Sequence, residues 1–328
     1  MSVILITGST GFLGQHLIRR LLETDDDSHL RLLCRGQGPA VESDRIEVVS
    51  GDVTDRAAVD AAMDGVAGVY HLAGRVERES DDNWSIYDVH VEGTRNVCES
   101  IIEKDVEKLV VVSTSGAMAV GVDPVERSEE FPYAQEVVRD WPYYTSKIYA
   151  EKLALWFAEH RKAPIVVVNP SLILGPGDER RSSTRDVELF LKGQIMVTPI
   201  GGLNLVDVRD AAQGLTLAME KGRLGERYLL GGANMTFHEW IQRTSKISGV
   251  SAPTLMVPLR TALGGAAVMR RLMPLVGKKF ELDNASIKMS ALFWYCDSSK
   301  ARDELGFTTR DPDETLRDTV SYLRETAA

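Results

Sequence analysis

Tyr143 and Lys147 stand four residues apart, directly behind Trp141-Pro142. Proline suits the first turn of a helix, so the phenol and the amine fall on one helix face, a turn apart. Free tyrosine, with a pKa of about 10, is a reluctant base at neutral pH. An ammonium about 5 Å away, at an effective dielectric of about 20, favours the phenolate by about 3 kcal/mol, or roughly two pKa units. Such a pair could exchange a proton with a carbinol or a carbonyl. Tyr144 lacks this partner, because Ile148 occupies the matching position. An ordinary amphipathic helix can offer the same spacing. A second hydroxyl source precedes it, since Val110-Val111-Val112 runs into Ser113-Thr114-Ser115. Hydroxyls there could also cap backbone groups.

The chain opens with other chemistry. Val3-Ile4-Leu5-Ile6-Thr7 leads into Gly8-Ser9-Thr10-Gly11-Phe12-Leu13-Gly14, an apolar strand, a glycine-spaced turn and a helix. Glycines allow positive φ and close backbone approach, and a helix start offers unpaired N–H groups and partial positive charge. The pyrophosphate of a dinucleotide is the natural occupant. The spacing is G-x-x-G-x-x-G, not G-x-G-x-x-G, and a tight turn with no ligand would need similar residues.

Apolar runs at Val3–Thr7, Leu30–Cys34, Ile46–Ser50, Gly68–Ala73, Lys108–Thr114, Ile165–Asn169 and Arg227–Leu230 alternate with helical patterns near 12–23, 55–63, 84–104, 143–161 and 208–221. Continuous Val/Ile/Leu runs mark strands buried on both faces. The alternation predicts an α/β, Rossmann-type, doubly wound parallel sheet of about seven strands. Ligands in such sheets sit beyond the carboxyl ends of the strands. After Asn169 the rhythm breaks into a Gly/Pro/Arg/Ser loop, a helix near 184–192 and a mostly helical stretch over 234–310, punctuated at Pro253, Pro258, Pro274 and Gly277. The expected division is 1–170 plus 204–232 for a dinucleotide domain, 171–203 plus 233–310 for a smaller, mostly helical C-terminal substrate lid, and 311–328 for a terminal helix.

A net charge of −10 argues against a nucleic-acid partner. Cys34, Cys98 and Cys296 lack metal-ligand spacing and read as reduced thiols in a cytoplasmic protein, with no metal expected. No basic leader precedes the first strand, and no apolar run reaches a membrane span. The nearest, Leu259–Val276, is interrupted by Arg260, Arg270 and Arg271. It could line an apolar pocket, pack, or rest on a membrane.

These motifs, with Gly51-Asp52-Val53, His71-Leu72-Ala73-Gly74 and Asn169-Pro170-Ser171, make nearly the whole chain resemble the extended short-chain dehydrogenase/reductase family. The segment Asp297-Ser298-Ser299-Lys300-Ala301-Arg302-Asp303-Glu304-Leu305-Gly306 is most similar to its branch of dihydroflavonol reductases, hydroxysteroid dehydrogenases and hopanoid-associated epimerase-like proteins. The resemblance implies Tyr143 as general acid/base, Lys147 as the source of its field and a ribose ligand, and Ser115 as the donor to the substrate oxygen, with Thr114 as substitute. It further implies a cofactor shell of Gly8, Thr10, Gly11, Phe12, Leu13, Gly14, Asp52, Val53, Leu72, Ala73, Gly74, Ser113, Pro170, Ser171, Leu172 and Ser183, joined by Tyr143 and Lys147. Asp52 could equally cap the next helix. Arg35 stands where an acidic residue would hold a ribose 2′-hydroxyl; arginine suits a 2′-phosphate, so NADP(H) is expected, with NAD(H) the alternative.

Two departures from the family pattern narrow the expectation. His90 replaces the usual asparagine of the Val89-His90-Val91-Glu92-Gly93-Thr94 run. Leu172 stands where sugar-nucleotide enzymes of the superfamily usually carry an asparagine that contacts phosphates. The expected activity is therefore NADP-dependent interconversion of a small, fairly apolar ketone or aldehyde and its alcohol. A sugar-nucleotide epimerase/dehydratase and a non-catalytic NADP-sensing regulator are the alternatives. Leu172, Phe190, Met196, Met269, Met273, Leu292, Phe293 and Trp294 are candidates to border the substrate. The resemblance also suggests a homodimer through the helix of the Tyr/Lys pair and its neighbour, where Tyr149 and Trp156 would suit an interface or a core.

Overall fold

The computed structural model describes residues 2–25, 27–76, 83–276 and 283–327, so Gly277 lies outside the described residues. Seven strands form one parallel sheet: β1 (Val3–Thr7), β2 (His29–Cys34), β3 (Ile46–Ser50), β4 (Val66–His71), β5 (Lys108–Val112), β6 (Ile165–Pro170) and β9 (Arg227–Leu230). Their order is β3-β2-β1-β4-β5-β6-β9. The chain winds outward from β1 to β3, then returns to β4 and proceeds the other way. The crevice that ligands use in such sheets lies at this reversal, beyond the carboxyl ends of β1 and β4.

Helices α1 (Phe12–Thr24) and α6 (Val208–Lys221) cover one face, over a core that includes Leu17, Tyr70, Val168 and Leu215. Helices α2 (Arg56–Ala62), α3 (Gly93–Glu103) and α4 (Pro142–Arg161) cover the other, around Leu5, Val97, Val111 and Phe157. A smaller sheet has the order β10-β8-β7, built from β7 (Leu172–Leu174), β8 (Gly202–Asp207) and β10 (Ala233–Thr236). Helices α5 (Arg185–Leu191), α7 (Phe237–Ser248) and α10 (Pro312–Glu325) enclose its separate core of Phe190, Leu205, Trp240 and Leu316. Between α7 and α10 lie α8 (Leu259–Leu272) and α9 (Asn284–Met289).

The Rossmann-type sheet is the one the apolar runs predict, and the differences have local causes. Residues 72–73 leave β4 because the Leu72 N–H donates to the Thr7 carbonyl at 3.0 Å and the Ala73 N–H to the Thr7 hydroxyl at 3.3 Å. Likewise β5 stops at Val112, because Thr114 caps a 3-10 turn over Ser115–Ala117 through the Gly116 N–H. The helix expected over 84–104 is broken by a π turn at Asp88–Glu92, centred on His90. Residues 204–232 supply β8 to the small sheet and β9 to the large one.

Candidate active site

The two parts face each other across a cleft of about 1520 Å³. A drug-sized ligand fills roughly 300–1,000 Å³, so there is room for a dinucleotide beside a second molecule. Its floor is the glycine turn. Gly8 has φ +75°, and a Cβ there would stand 2.6 Å from the Ala73 nitrogen and the Leu72 carbonyl carbon. Gly11 begins α1 with no side-chain cap and no acidic residue in the first turn. The opening N–H groups and the positive helix end are therefore left for an anion. Across the floor, the buried Ser113 and Ser171 hydroxyls have no partner among the described residues, although both line the cleft. Unpaired buried hydroxyls are costly, and the hydroxyls and amides of a dinucleotide would satisfy them. The residues fit a nicotinamide dinucleotide.

Thr10, Phe12, Leu13, Gly14, Arg35, Leu72, Gly74, Pro170, Leu172 and Ser183 also line the cleft. Three expected cofactor residues are not among those that line it. Val53 is buried against Gly93, its carbonyl accepting from Asn96 at 2.9 Å. Ala73 is turned to Thr7. Asp52 accepts from the Thr54 N–H and hydroxyl, both at 2.9 Å, and lies 3.8 Å from Arg35. It does not cap α2; Asp55 does, accepting from the Ala57 and Ala58 N–H groups.

Tyr143 and Lys147 reach the same cleft from the first turns of α4. The hydroxyl turn lies beside the pair: the Thr114 hydroxyl acts on the Tyr143 phenol and the Ser115 hydroxyl on the buried Cys296 thiol, each favouring the deprotonated form. Thr114 Oγ1 accepts from the Gly116 N–H at 3.3 Å, which leaves its own proton uncommitted by that bond. Thr114 and Ser115 both line the cleft with Tyr143, so the expected donor to the substrate oxygen and its substitute stand side by side. The expected acidification is absent. Burial pushes Tyr143 up to about 12, opposed by the Thr114 bond. Lys147 Nζ donates to the Val112 carbonyl at 2.8 Å, and burial pushes its ammonium down to about 8, opposed by Glu151. Loss of water penalises phenolate and ammonium alike, and this outweighs the field that spacing alone suggests.

Two histidines lock the floor beneath this pair. His90 Nε2 accepts from the Arg75 N–H at 3.0 Å. Its Nδ1–H therefore donates to Ser146 Oγ at 2.7 Å, and Ser146 donates to the Tyr143 carbonyl at 2.9 Å. The Thr94 hydroxyl spends its proton on the His90 carbonyl at 2.6 Å, so it accepts from His71 Nε2 at 3.1 Å. His71 Nδ1 then accepts from the Thr7 hydroxyl at 2.7 Å. Burial, with Lys147 nearby, lowers His71 to about 3 and His90 well below its ordinary range. Both rings are neutral tethers with one tautomer each.

Sequence reading missed two supports. Glu151, fully buried one turn beyond Lys147, accepts from Asn169 at 2.7 Å, Tyr133 at 3.2 Å and Arg227 at 3.2 Å. Asn169 also donates to the Thr114 carbonyl at 3.1 Å, which ties α4 to the hydroxyl turn. The spacing of Tyr143, Lys147 and Glu151 at successive turns was a usable signal. Second, the buried Asp178 carboxylate accepts from the N–H groups of Ser182, Ser183 and Thr184 and from the hydroxyls of Ser182 and Thr184, at 2.8 to 3.0 Å. It shapes the loop that lines the cleft at Arg180 and Ser183.

The substrate end of the cleft is apolar. Leu172, Met196, Met269 and Trp294 line it, as does Leu259 of the segment expected to line an apolar pocket, with Ile195, Val257 and Met289 among the residues not anticipated. Phe190 belongs to the small-sheet core, and Met273, Leu292 and Phe293 are not on the wall.

Comparison with known proteins agrees with this geometry. The model of the NAD dependent epimerase/dehydratase family matches residues 4–231. A Synechocystis protein provisionally named dihydroflavonol 4-reductase is 32% identical, covering 97% of this chain and 94% of its own length. Sterol demethylase protein B of Methylococcus capsulatus is 30% identical over 98% of both chains. The crystal structure of gox2253 superposes with a TM-score of 0.85 at 30% identity, covering 99% of each chain. Glycine turn, hydroxyl turn, Tyr/Lys helix and full-length similarity converge, and the chain belongs to the NAD dependent epimerase/dehydratase family of extended short-chain dehydrogenases/reductases.

Proposed function

We propose that the protein is an NADP-dependent reductase of fairly apolar ketones or aldehydes, running towards the alcohol. The observation that carries this reading is that Tyr143 and Lys147 open from one helix into a cleft also lined by Thr114, Ser115, Leu172, Met196, Met269 and Trp294, with burial favouring the protonated phenol. A phenol that keeps its proton at neutral pH is a competent donor to a carbonyl oxygen and a poor base for an alcohol. When bound, the nicotinamide supplies the hydride. Tyr143 gives the proton to the developing alkoxide, Thr114 steadies the phenol oxygen, and Lys147 keeps positive charge beneath the site. Leu172 gives an uncharged wall where a nucleotide sugar would need polar contacts, which favours this reading over the epimerase alternative. Retention of Tyr143 and Lys147 favours it over a regulator. The similarity to named reductases also supports it.

Arg35 carries the choice of NADP. Its partner Asp52 is 3.8 Å away and the arginine side chain is 68% exposed. A pair this loose stabilises by about 0–1 kcal/mol at most, so Arg35 can exchange it for a bidentate 2′-phosphate contact. Arg35→Ala is expected to weaken NADPH binding at least about tenfold while leaving NADH within about twofold, as titrated by nicotinamide fluorescence. Equal losses for both would remove the preference. The reaction itself is tested by following NADPH consumption against ketosteroids, dihydroflavonols, aryl aldehydes and 3-oxoacyl compounds. Failure of every apolar carbonyl, with turnover of a UDP- or dTDP-sugar, would overturn the reading.

The pH profile checks the electrostatics. Lys147 releases its proton near 8 in the fold and near 10.5 when unfolded. Burying it therefore costs stability below about 8, and that cost fades as pH rises towards 10.5. Activity runs the other way: kcat/KM for reduction is expected to be level up to about 8, then to fall about tenfold per unit as the ammonium is lost. A Lys147→Arg enzyme should keep a lower but level rate through that range. A wild-type profile that climbs above pH 8 contradicts the assignment.

A further inference from the structure

In a chain of net charge −10, the segment from Trp240 to Val276 holds five basic residues and no acidic one. Helix α8 lies within it and is apolar on two sides. Its inner side, with Ala262, Ala266 and Met269, lines the cleft. Its outer side is exposed and carries Gly264, Ala267, Val268 and Leu272, continued by Leu275, with Arg260 and Arg271 at its margins. Ala266 is the one residue buried along the helix. A water-facing lid helix normally presents a polar outer face; here Leu275 is 80% exposed. Neither Arg260 nor Arg271 has an ion-pair partner among the described residues, while Arg270 is tied to Asn284 and to the Ala266 carbonyl. Leu255, Ile200 and Met196 add exposed apolar surface at the cleft, which they also line.

We propose that this face docks on an anionic phospholipid bilayer, with Leu272 and Leu275 entering the interface and Arg260 and Arg271 meeting the headgroups. An apolar stripe bordered by arginine suits that surface. The acidic remainder of the molecule would be held towards water by the same charge. Docking in this manner puts the cleft mouth against the acyl region, so an apolar compound can pass from bilayer to cleft without crossing water. The inference is independent of the redox reading, because adsorption needs no turnover.

The test is flotation of the full chain with vesicles of phosphatidylcholine alone or with roughly a third phosphatidylglycerol. Binding is expected only to the anionic vesicles, weakening as salt rises. The double variant Arg260→Gln/Arg271→Gln should lose roughly thirtyfold in partitioning, at about tenfold or less per charge. Leu272→Ser/Leu275→Ser should abolish binding at every salt concentration, with far-UV circular dichroism unchanged. Absence of binding to anionic vesicles, or binding indifferent to both variants, overturns the proposal. So does self-association in vesicle-free solution that Leu272→Ser/Leu275→Ser removes, since the face would then belong to a second copy.

Discussion

Tyr143→Phe is expected to lower kcat for carbonyl reduction by about 10²- to 10⁴-fold, the usual worth of a placed proton donor. The ring stays, so its edge contacts with His90 at 5.7 Å and Tyr144 at 5.0 Å are kept and the fold should not suffer. NADPH affinity should change by no more than a few-fold, which separates a lost proton from a lost cofactor. The neighbouring hydroxyls refine the result. Thr114→Val and Ser115→Ala each remove one hydroxyl from the cleft wall, and the one that donates to the substrate oxygen should reduce kcat by about tenfold or more. A Tyr143→Phe enzyme with more than about a tenth of wild-type kcat would show that the proton comes from elsewhere.

The second large effect concerns stability. Arg227→Met leaves the Glu151 carboxylate fully buried without its cation. Breaking a buried pair from one side costs about 3–5 kcal/mol, because the remaining charge keeps its desolvation penalty. Tyr133 and Asn169 still donate to Glu151, which argues for the lower part of that range. The arginine also lies 4.9 Å from the Tyr133 ring and donates to the Glu129 carbonyl, so packing is lost as well. Urea unfolding should show a lower midpoint at an unchanged slope. A shift below about 1 kcal/mol would mean that water reaches Glu151 in solution.

The inner strands of the large sheet were legible because being buried on both faces demands unbroken apolar runs, visible without context, whereas the exposed edge strand β3 was read from Ile46, Val48 and Val49 alone. Three of the seven match their expected bounds end to end: Val3–Thr7, Ile46–Ser50 and Arg227–Leu230. The small sheet was not legible. Its central strand β8 carries Asn204, and Gly202 reads as a breaker, yet the glycine is there because the Tyr295 ring and hydroxyl pack where a Cβ would sit. That demand comes from a residue far along the chain, and no local pattern reports it.

The site divides in the same manner. Spacing put Tyr143 and Lys147 on one face, and the chain order of turn, hydroxyls and pair identified the family. Where β5 ends and the hydroxyl turn begins is decided by the Thr114 cap on Gly116, which a run of hydroxyl residues does not reveal. The protonation states depended on how much water the fold excludes and where Nζ points, neither of which spacing encodes. Leu172 kept its assigned place on the wall, whereas Phe190 illustrates the ambiguity of any apolar residue: the same side chain can line a cavity or fill the core behind it.

Helix α10 has a consequence for synthesis. Every strand of the large sheet exists once Leu230 has been made, but the core of the small sheet needs Leu316, Val320 and Leu323. Domains tend to fold as units, earlier ones first. A growing chain can therefore shape its nucleotide half while the roof is still unfinished, and during translation it will expose an unclosed apolar surface that a ribosome-bound chaperone could recognise.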